Sequence, residues 1–233
     1  MDNSLDSEME RLIARTEGGQ RTFFDVHDFS WVVELESHWR SMREELDGLL
    51  LSMEKLPGYE EIEVGQGEIT EDKRWKIFPL YVYGHWSRVA QRLCPKTLTA
   101  IKGIPDIQAA MFSILQGNKE LPMHRGPYSG VLRYHLGLKI PTVASSCGIS
   151  IGADSAQWEE GKSLIFDDTH LHRAWNLSNE DRVVLFVDFT RPLPAHLKTR
   201  NAEAIAGFSR TDFMVNAEKR WRKWEAKHWS AEL

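Results

Sequence analysis

Nine histidines are ordinary for a chain of 233 residues, so only their surroundings can single one out. His124 lies just before the turn signal Gly126-Pro127, and the strand-like run after it carries Arg133 and His135 on one face. His172 closes the segment FDDTHLH, in which Asp168, His170 and His172 fall at steps of two and share a face if extended. Imidazole and carboxylate groups projecting from strand ends suit a mononuclear non-haem iron, Fe(II), whose usual donors are two histidines and one carboxylate. The common form is H-x-D followed by a distant His; here Gly126 takes the acid's place. A site of His124 and His172 alone leaves more positions for water, a chelating cosubstrate and dioxygen (O2). Asp168 is the acid expected to brace such a site, by hydrogen-bonding a metal-bound water. His170 is the rival ligand if a bulge shifts the register.

A cosubstrate of the 2-oxoglutarate type chelates the metal through its keto-acid end and needs a buried cation for its far carboxylate. Arginine fits that need because its planar fork meets a carboxylate in a bidentate way. Arg182 stands ten residues after His172 and, by strand alternation, points away from the apolar face.

The elements that must position these groups are written in the hydrophobic pattern. Along VLRYHLGLKI, residues Leu132, Tyr134, Leu136, Leu138 and Ile140 share one face, leaving Arg133 and His135 on the other. In RVVLFVDF, Val183, Leu185, Val187 and Phe189 point one way while Arg182 and Asp188 point the other. Strands are also expected within Trp75–Trp86, with Pro79 at an edge or bulge, and over Met111–Gln116. Short strands parted by Gly, Ser, Asp and Pro turns suggest a β-sandwich or jelly roll. Before them, Trp31, Leu35, Trp39, Met42, Leu46, Leu49 and Met53 predict one long amphipathic helix, capped by Asp28 or Ser30 and stopped by Pro57-Gly58. A short helix is expected from Arg88 to Leu93, ended before Pro95. After Pro194, AEKRWRKWEAKHW predicts a helix whose Trp221 and Trp224 pack on the body of the chain; a homodimer contact, a substrate lid or a membrane-surface helix are its other uses.

Composition narrows the classes. With 42% hydrophobic and 27% charged residues the chain is an ordinary globular one, and its length suits a single domain, residues 1–233. A net charge of −5 gives no broad pull toward nucleic acid. Cys94 and Cys147 lie 53 residues apart in no metal-binding spacing, which fits a reduced, cytoplasmic setting. The N-terminus is acidic and polar, unlike a signal peptide, and no run approaches the length of a transmembrane segment.

Taken together, HRGPYSGVLRYHLGL, the EGKSLIFDDTHLHRAWN segment and DRVVLFVDFTRP resemble the aspartyl/asparaginyl β-hydroxylase family of iron(II)- and 2-oxoglutarate-dependent oxygenases, with CPKT at Cys94–Thr97 as a further echo. The resemblance implies a mainly β protein with flanking helices: a double-stranded β-helix (jelly roll, cupin-like) over 75–192, between an N-terminal helical region at 1–74 and a C-terminal helical extension at 193–233. It implies iron(II) held by His124 and His172 with Gly126 in the acid's place. Ser113 and Arg182 then receive the distal carboxylate of 2-oxoglutarate, and Arg133 and His135 lie near its metal-binding end. The implied activity is hydroxylation of an unactivated C–H bond of a small amino-acid-like, peptide or lipid substrate, with succinate and CO2 as coproducts. Val131 stands where peptide-hydroxylating members carry a second arginine, and the motifs look closer to the bacterial lipid-hydroxylating branch. Desaturation, cyclisation or halogenation at the same centre, and a non-catalytic sensor of small carboxylates, are the alternatives.

Overall fold

The computed structural model describes residues 6–230, the side chains of Gln66 and Glu68 excepted. Eleven strands form two sheets: β1 (Phe23–Phe24), β2 (Trp75–Val82), β3 (His85–Trp86), β4 (Ile107–Leu115), β5 (Lys119–His124), β6 (Val131–Lys139), β7 (Cys147–Ile151), β8 (Asp154–Ala156), β9 (Ser163–Phe166), β10 (His172–Asn176) and β11 (Arg182–Thr190). The larger sheet runs β1-β9-β6-β11-β4-β2-β3 and the smaller runs β5-β10-β7-β8, with every pairing antiparallel. Successive strands from β4 to β11 fill β9-β6-β11-β4 of one sheet and β5-β10-β7-β8 of the other. The fold is therefore a double-stranded β-helix, mainly β with flanking helices.

The two faces of β6 and β11 divide the core. Leu132, Tyr134, Leu136 and Leu138 join Val183, Leu185, Val187 and Phe189 in a cluster under the helices. Val184 and Phe186 face the other way, between the sheets, with Leu121, Ile149, Ile151, Trp158, Phe166 and Ala174. Ile140, expected on the first face, packs on the second, because it lies beyond the end of β6. Pro79 sits at a register shift against β4, in a stretch of β2 that β3 is too short to reach.

Helices α1 (Ser7–Ile13), α2 (Trp31–Ser37), α3 (Trp39–Leu50), α4 (Tyr59–Ile62), α5 (Arg88–Leu93), α6 (Pro95–Ile101), α7 (Ala195–Ser209) and α8 (Asp212–His228) surround the sheets. The single helix expected from Trp31 to Met53 is two helices broken at His38. Ser37 Oγ donates to the Glu34 carbonyl and Ser41 Oγ to that of His38, local bonds that compete with helix continuation. Ser30 is the N-cap residue of α2, without a side-chain cap bond. Pro95 not only ends α5 but begins α6, whose first-turn N–H groups at Lys96 and Thr97, without partners inside the helix, are satisfied by Glu45 of α3 at 2.7 and 2.9 Å. The first 74 residues are not wholly helical, since β1 adds an edge strand beside β9.

The C-terminal helices close one end of the barrel. Trp221 is buried in the core between the sheets, Arg220 Nε donates to the Ile62 carbonyl (2.7 Å), and Trp224 Nε1 to that of Lys55 (2.8 Å). The tryptophan face of α8 is thus spent on the chain's own body. No helix among the described residues is long and apolar enough to cross a membrane.

Candidate active site

Strands β5 and β10 are neighbours, and their register places His124 directly opposite His172. The register shift between these strands falls after His172, between it and Ala174, so the two rings meet with centroids 4.0 Å apart. Each ring is oriented by its own backbone: His124 Nδ1 lies 2.7 Å from the Pro122 carbonyl and His172 Nδ1 2.9 Å from that of His170. A carbonyl only accepts, so both Nδ1 atoms carry hydrogen and both Nε2 atoms carry the lone pair. Burial holds His124 below the ordinary imidazole range, and burial together with His124 pushes His172 down to about 3. Neutral, oriented imidazoles with the Nε2 lone pair exposed are the form that binds a transition metal. His170 enters this arrangement through its carbonyl.

Asp168 explains the glycine. A Cβ on Gly126 would lie 2.1 Å from Asp168 Oδ2 and 2.2 Å from its Cγ, so the Asp168 carboxylate fills the space in which a side chain at 126 would begin. The Gly126 N–H also donates to the Asp168 carbonyl at 2.7 Å. The carboxylate is turned to Arg133, whose Nη1 is 2.7 Å from Oδ2 as an ion pair without an aligned hydrogen bond. Among the described residues, no group of three or more His, Cys, Asp or Glu converges as metal donors. The histidine pair is the group that could hold a metal, and two imidazoles would leave such a metal open positions.

Arg133 is shared. Its Nε and Nη2 meet both oxygens of Asp188 at 2.9 and 3.0 Å, the two residues facing each other in register on β6 and β11. Burial lowers the Arg133 guanidinium, but Asp168 and Asp188 more than offset this and hold it charged. Burial pushes both carboxyls up against its pull. Asp188 was visible in the sequence only as a residue on the face of Arg182; its register with Arg133 depends on a long-range pairing no local pattern reveals.

Deeper, between the sheets, lies a second polar group. His135 is walled by Phe166, Phe186 and Trp158, and Trp158 Nε1 donates to its Nδ1 at 3.2 Å. Burial, then Arg182, push its pKa far below the usual range, so the ring is neutral and its hydrogen sits on Nε2, a buried donor with no acceptor. Arg182, 2% exposed, faces the Trp158 ring at 4.5 Å and reaches the Ser113 carbonyl only at 3.5 Å. Its Nε has no partner, and no carboxylate among the described residues pairs with it. The neighbouring Cys147 thiol is pushed up by burial and supplies no charge. Ser113 Oγ accepts from Trp75 Nε1 (2.9 Å), leaving its own hydroxyl hydrogen to donate. A buried cation hydrogen-bonded to a thiol but without a carboxylate, beside the orphaned His135 Nε2–H, is costly unless an anion completes it, and a dicarboxylate such as 2-oxoglutarate fits that gap. Sequence reasoning missed Trp158 and Trp75, the two indoles that orient His135 and Ser113.

A cleft of about 1230 Å³, its solvent-open mouth included, leads from the surface to His124, Arg133 and Asp168. Its walls are mainly apolar: Ile62 of α4, Ile77 of β2, Met111 of β4, Phe208 of α7, and Met214 and Trp221 of α8. The cleft stops short of Arg182, His135 and Ser113.

A chain with these features has relatives. The ornithine lipid ester-linked acyl 2-hydroxylase of Rhizobium tropici is 38% identical over 212 residues, covering 91% of this chain and 75% of that protein. The aspartyl/asparaginyl β-hydroxylase of Homo sapiens is 32% identical over 180 residues; the match covers 75% of this chain but only 23% of that protein. A cupin domain of Schizosaccharomyces pombe Cnp3 aligns at 10% identity and TM-score 0.37, over 58% of this chain and 74% of that one. The sequence profile of the aspartyl/asparaginyl β-hydroxylases spans residues 36–192, from α2 to the end of the barrel, and on that match the chain belongs to this hydroxylase family.

Proposed function

We propose that the chain is an iron(II)- and 2-oxoglutarate-dependent dioxygenase that hydroxylates the acyl chain of a lipid. The observation carrying this reading is the conjunction of two oriented histidines, one of which lines an apolar cleft, with a buried, anion-less Arg182 deeper between the sheets. The likeness to a lipid acyl 2-hydroxylase over most of the chain supports the acyl substrate.

Iron and 2-oxoglutarate, when bound, supply the oxidising chemistry: with O2 they yield succinate, CO2 and the hydroxylated C–H position. His124 and His172 hold the metal through Nε2. Arg182 and the Ser113 hydroxyl receive the distal carboxylate of the cosubstrate, and His135 Nε2–H donates toward its other end. Asp168 stands beside the pair with an acceptor direction unused, able to take a hydrogen bond from a water at the site, while Arg133 and Asp188 keep it from swinging away. Arg133, occupied by two carboxylates, acts on the cosubstrate's metal end through Asp168. The apolar walls exclude bulk water and orient the chain to be oxidised.

The test is anaerobic loading with iron(II) and 2-oxoglutarate, then oxygen with a panel of acylated amino acids, acyl lipids and peptides. Succinate release coupled to an 18O-labelled hydroxyl on an acyl carbon is expected. Coupled turnover on peptides alone would overturn the substrate; succinate-free oxidation would overturn the cofactor.

A further inference from the structure

The cleft ending at His124 is bounded on another side by Tyr83 and Ile205, and these two side chains also line a separate cavity between Phe29, Trp31, Gln108, Phe189 and Lys198. They form a partition between the two spaces. Tyr83 holds that place against local preference. Tyr83 and Gly84 are the two residues joining β2 to β3, with φ of 41° and 93°. Positive φ at both central residues belongs to a type I′ hairpin turn, where Asn-Gly is favoured and a bulky aromatic is an outlier. The surroundings over-determine it: the Tyr83 N–H donates to the Gln108 carbonyl (2.7 Å), and the ring sits edge-on to Phe208 with centroids 5.9 Å apart, against the cluster containing Ile205. Strain kept at a cleft wall points to a use for the ring there.

We propose that Tyr83, with Ile205, is the end wall of an acyl channel and sets the length of hydrocarbon the site accepts. This rests on the acyl reading above. Apolar side chains dominate the channel side of the wall, Val82 and Met111 of the sheet with Met214 and Ala217 of α8, although Glu63 and Glu218 line it too. The Arg133, Asp168 and Asp188 network lines the same cleft, and its charges reach the Tyr83 hydroxyl. Each methylene buried along such a wall tightens binding about fourfold, corresponding to about 0.8 kcal/mol, until the chain meets the partition. Removing the partition joins the two cavities and lets the gain continue.

The experiment measures calorimetric affinities of the full chain for saturated fatty acids of about eight to twenty carbons. The parent protein is expected to tighten steadily to one length and then stop. Tyr83→Asn suits the turn and lacks the ring, so it should fold and shift the break by roughly two carbons or more, as should Ile205→Ala from the opposite element. Tyr83→Phe should leave the break in place. A break that does not move in either cavity-joining variant, with native unfolding temperatures, overturns the proposal and leaves the acyl reading standing. Affinity flat with length in the parent overturns both.

Discussion

Replacing Gly126 by Ala adds one methyl group at the point where the site departs from the usual two-histidine, one-carboxylate design. The new Cβ would meet Asp168 Oδ2 at 2.1 Å, whereas ordinary contact begins at 3.4 Å, so the carboxylate must retreat by 3.4 − 2.1 = 1.3 Å. Asp168 is 6% exposed and held by Arg133 at 2.7 Å, with little room to go. Overpacking of this kind costs about 1–3 kcal/mol, and removing one partner from a buried ionic network about 3–5 kcal/mol. Arg133 keeps Asp188, so the expected loss is about 3 kcal/mol, a fall in Tm of roughly 6–12 °C for a chain of this size. Denaturant unfolding of the metal-free protein measures it. Asp168→Ala removes the obstruction, so the double variant should be less destabilised than the sum of the singles by about 2 kcal/mol. A Gly126→Ala protein within about 0.5 kcal/mol of its parent, or strict additivity in the double variant, would show that the glycine and the aspartate are not one device.

Arg182→Met should leave stability in the absence of 2-oxoglutarate unchanged within about 1 kcal/mol or raise it, because a buried cation without a counterion is removed, while 2-oxoglutarate affinity falls roughly 10- to 100-fold; equal affinity by calorimetry would remove it from the cosubstrate site. His135 is held neutral in the folded chain, so as pH falls below its unfolded value of 6.5 the unfolded state gains a proton the native state refuses, and stability drops by about 1.4 kcal/mol per pH unit. His124 and His172 act with the same sign, so the informative quantity is the difference in slope between parent and His135→Gln, both metal-free; identical slopes between pH 6.5 and 5 (roughly that window) would contradict the assignment. Trp158→Phe removes the N–H that fixes His135 by its Nδ1, and the KM for 2-oxoglutarate should rise about tenfold with kcat little changed; an unchanged KM would mean that tautomer is set elsewhere.

What the sequence made legible was whatever repeats with the period of a strand. The alternation in β6 and β11 separates the residues under the helices from those between the sheets, and Arg133, His135, Arg182 and Asp188 fall on the inner side as that period requires. Histidines 48 residues apart, His124 and His172, face each other only because β5 and β10 pair, and that pairing is long-range. The same limit hid the meeting of Arg133 with Asp188, and of Gly126 with Asp168. The break at His38 was missed because the apolar spacing of the helix continues through it, while the Ser37 and Ser41 hydroxyls that compete with the backbone leave no mark on that spacing. The lining of the cleft by α8 was legible only as one alternative, a substrate lid, since Trp221 reads as core whether the core is a sheet or a binding site.

The proposed two-histidine iron centre is tested most directly by iron(II) retention under anaerobic equilibrium dialysis with 2-oxoglutarate present. The parent chain and His170→Ala should each retain close to one iron per chain, while His124→Ala and His172→Ala, both folded by circular dichroism, should retain none. Full retention in His172→Ala together with its loss in His170→Ala would move the ligand to the neighbouring histidine and contradict the account.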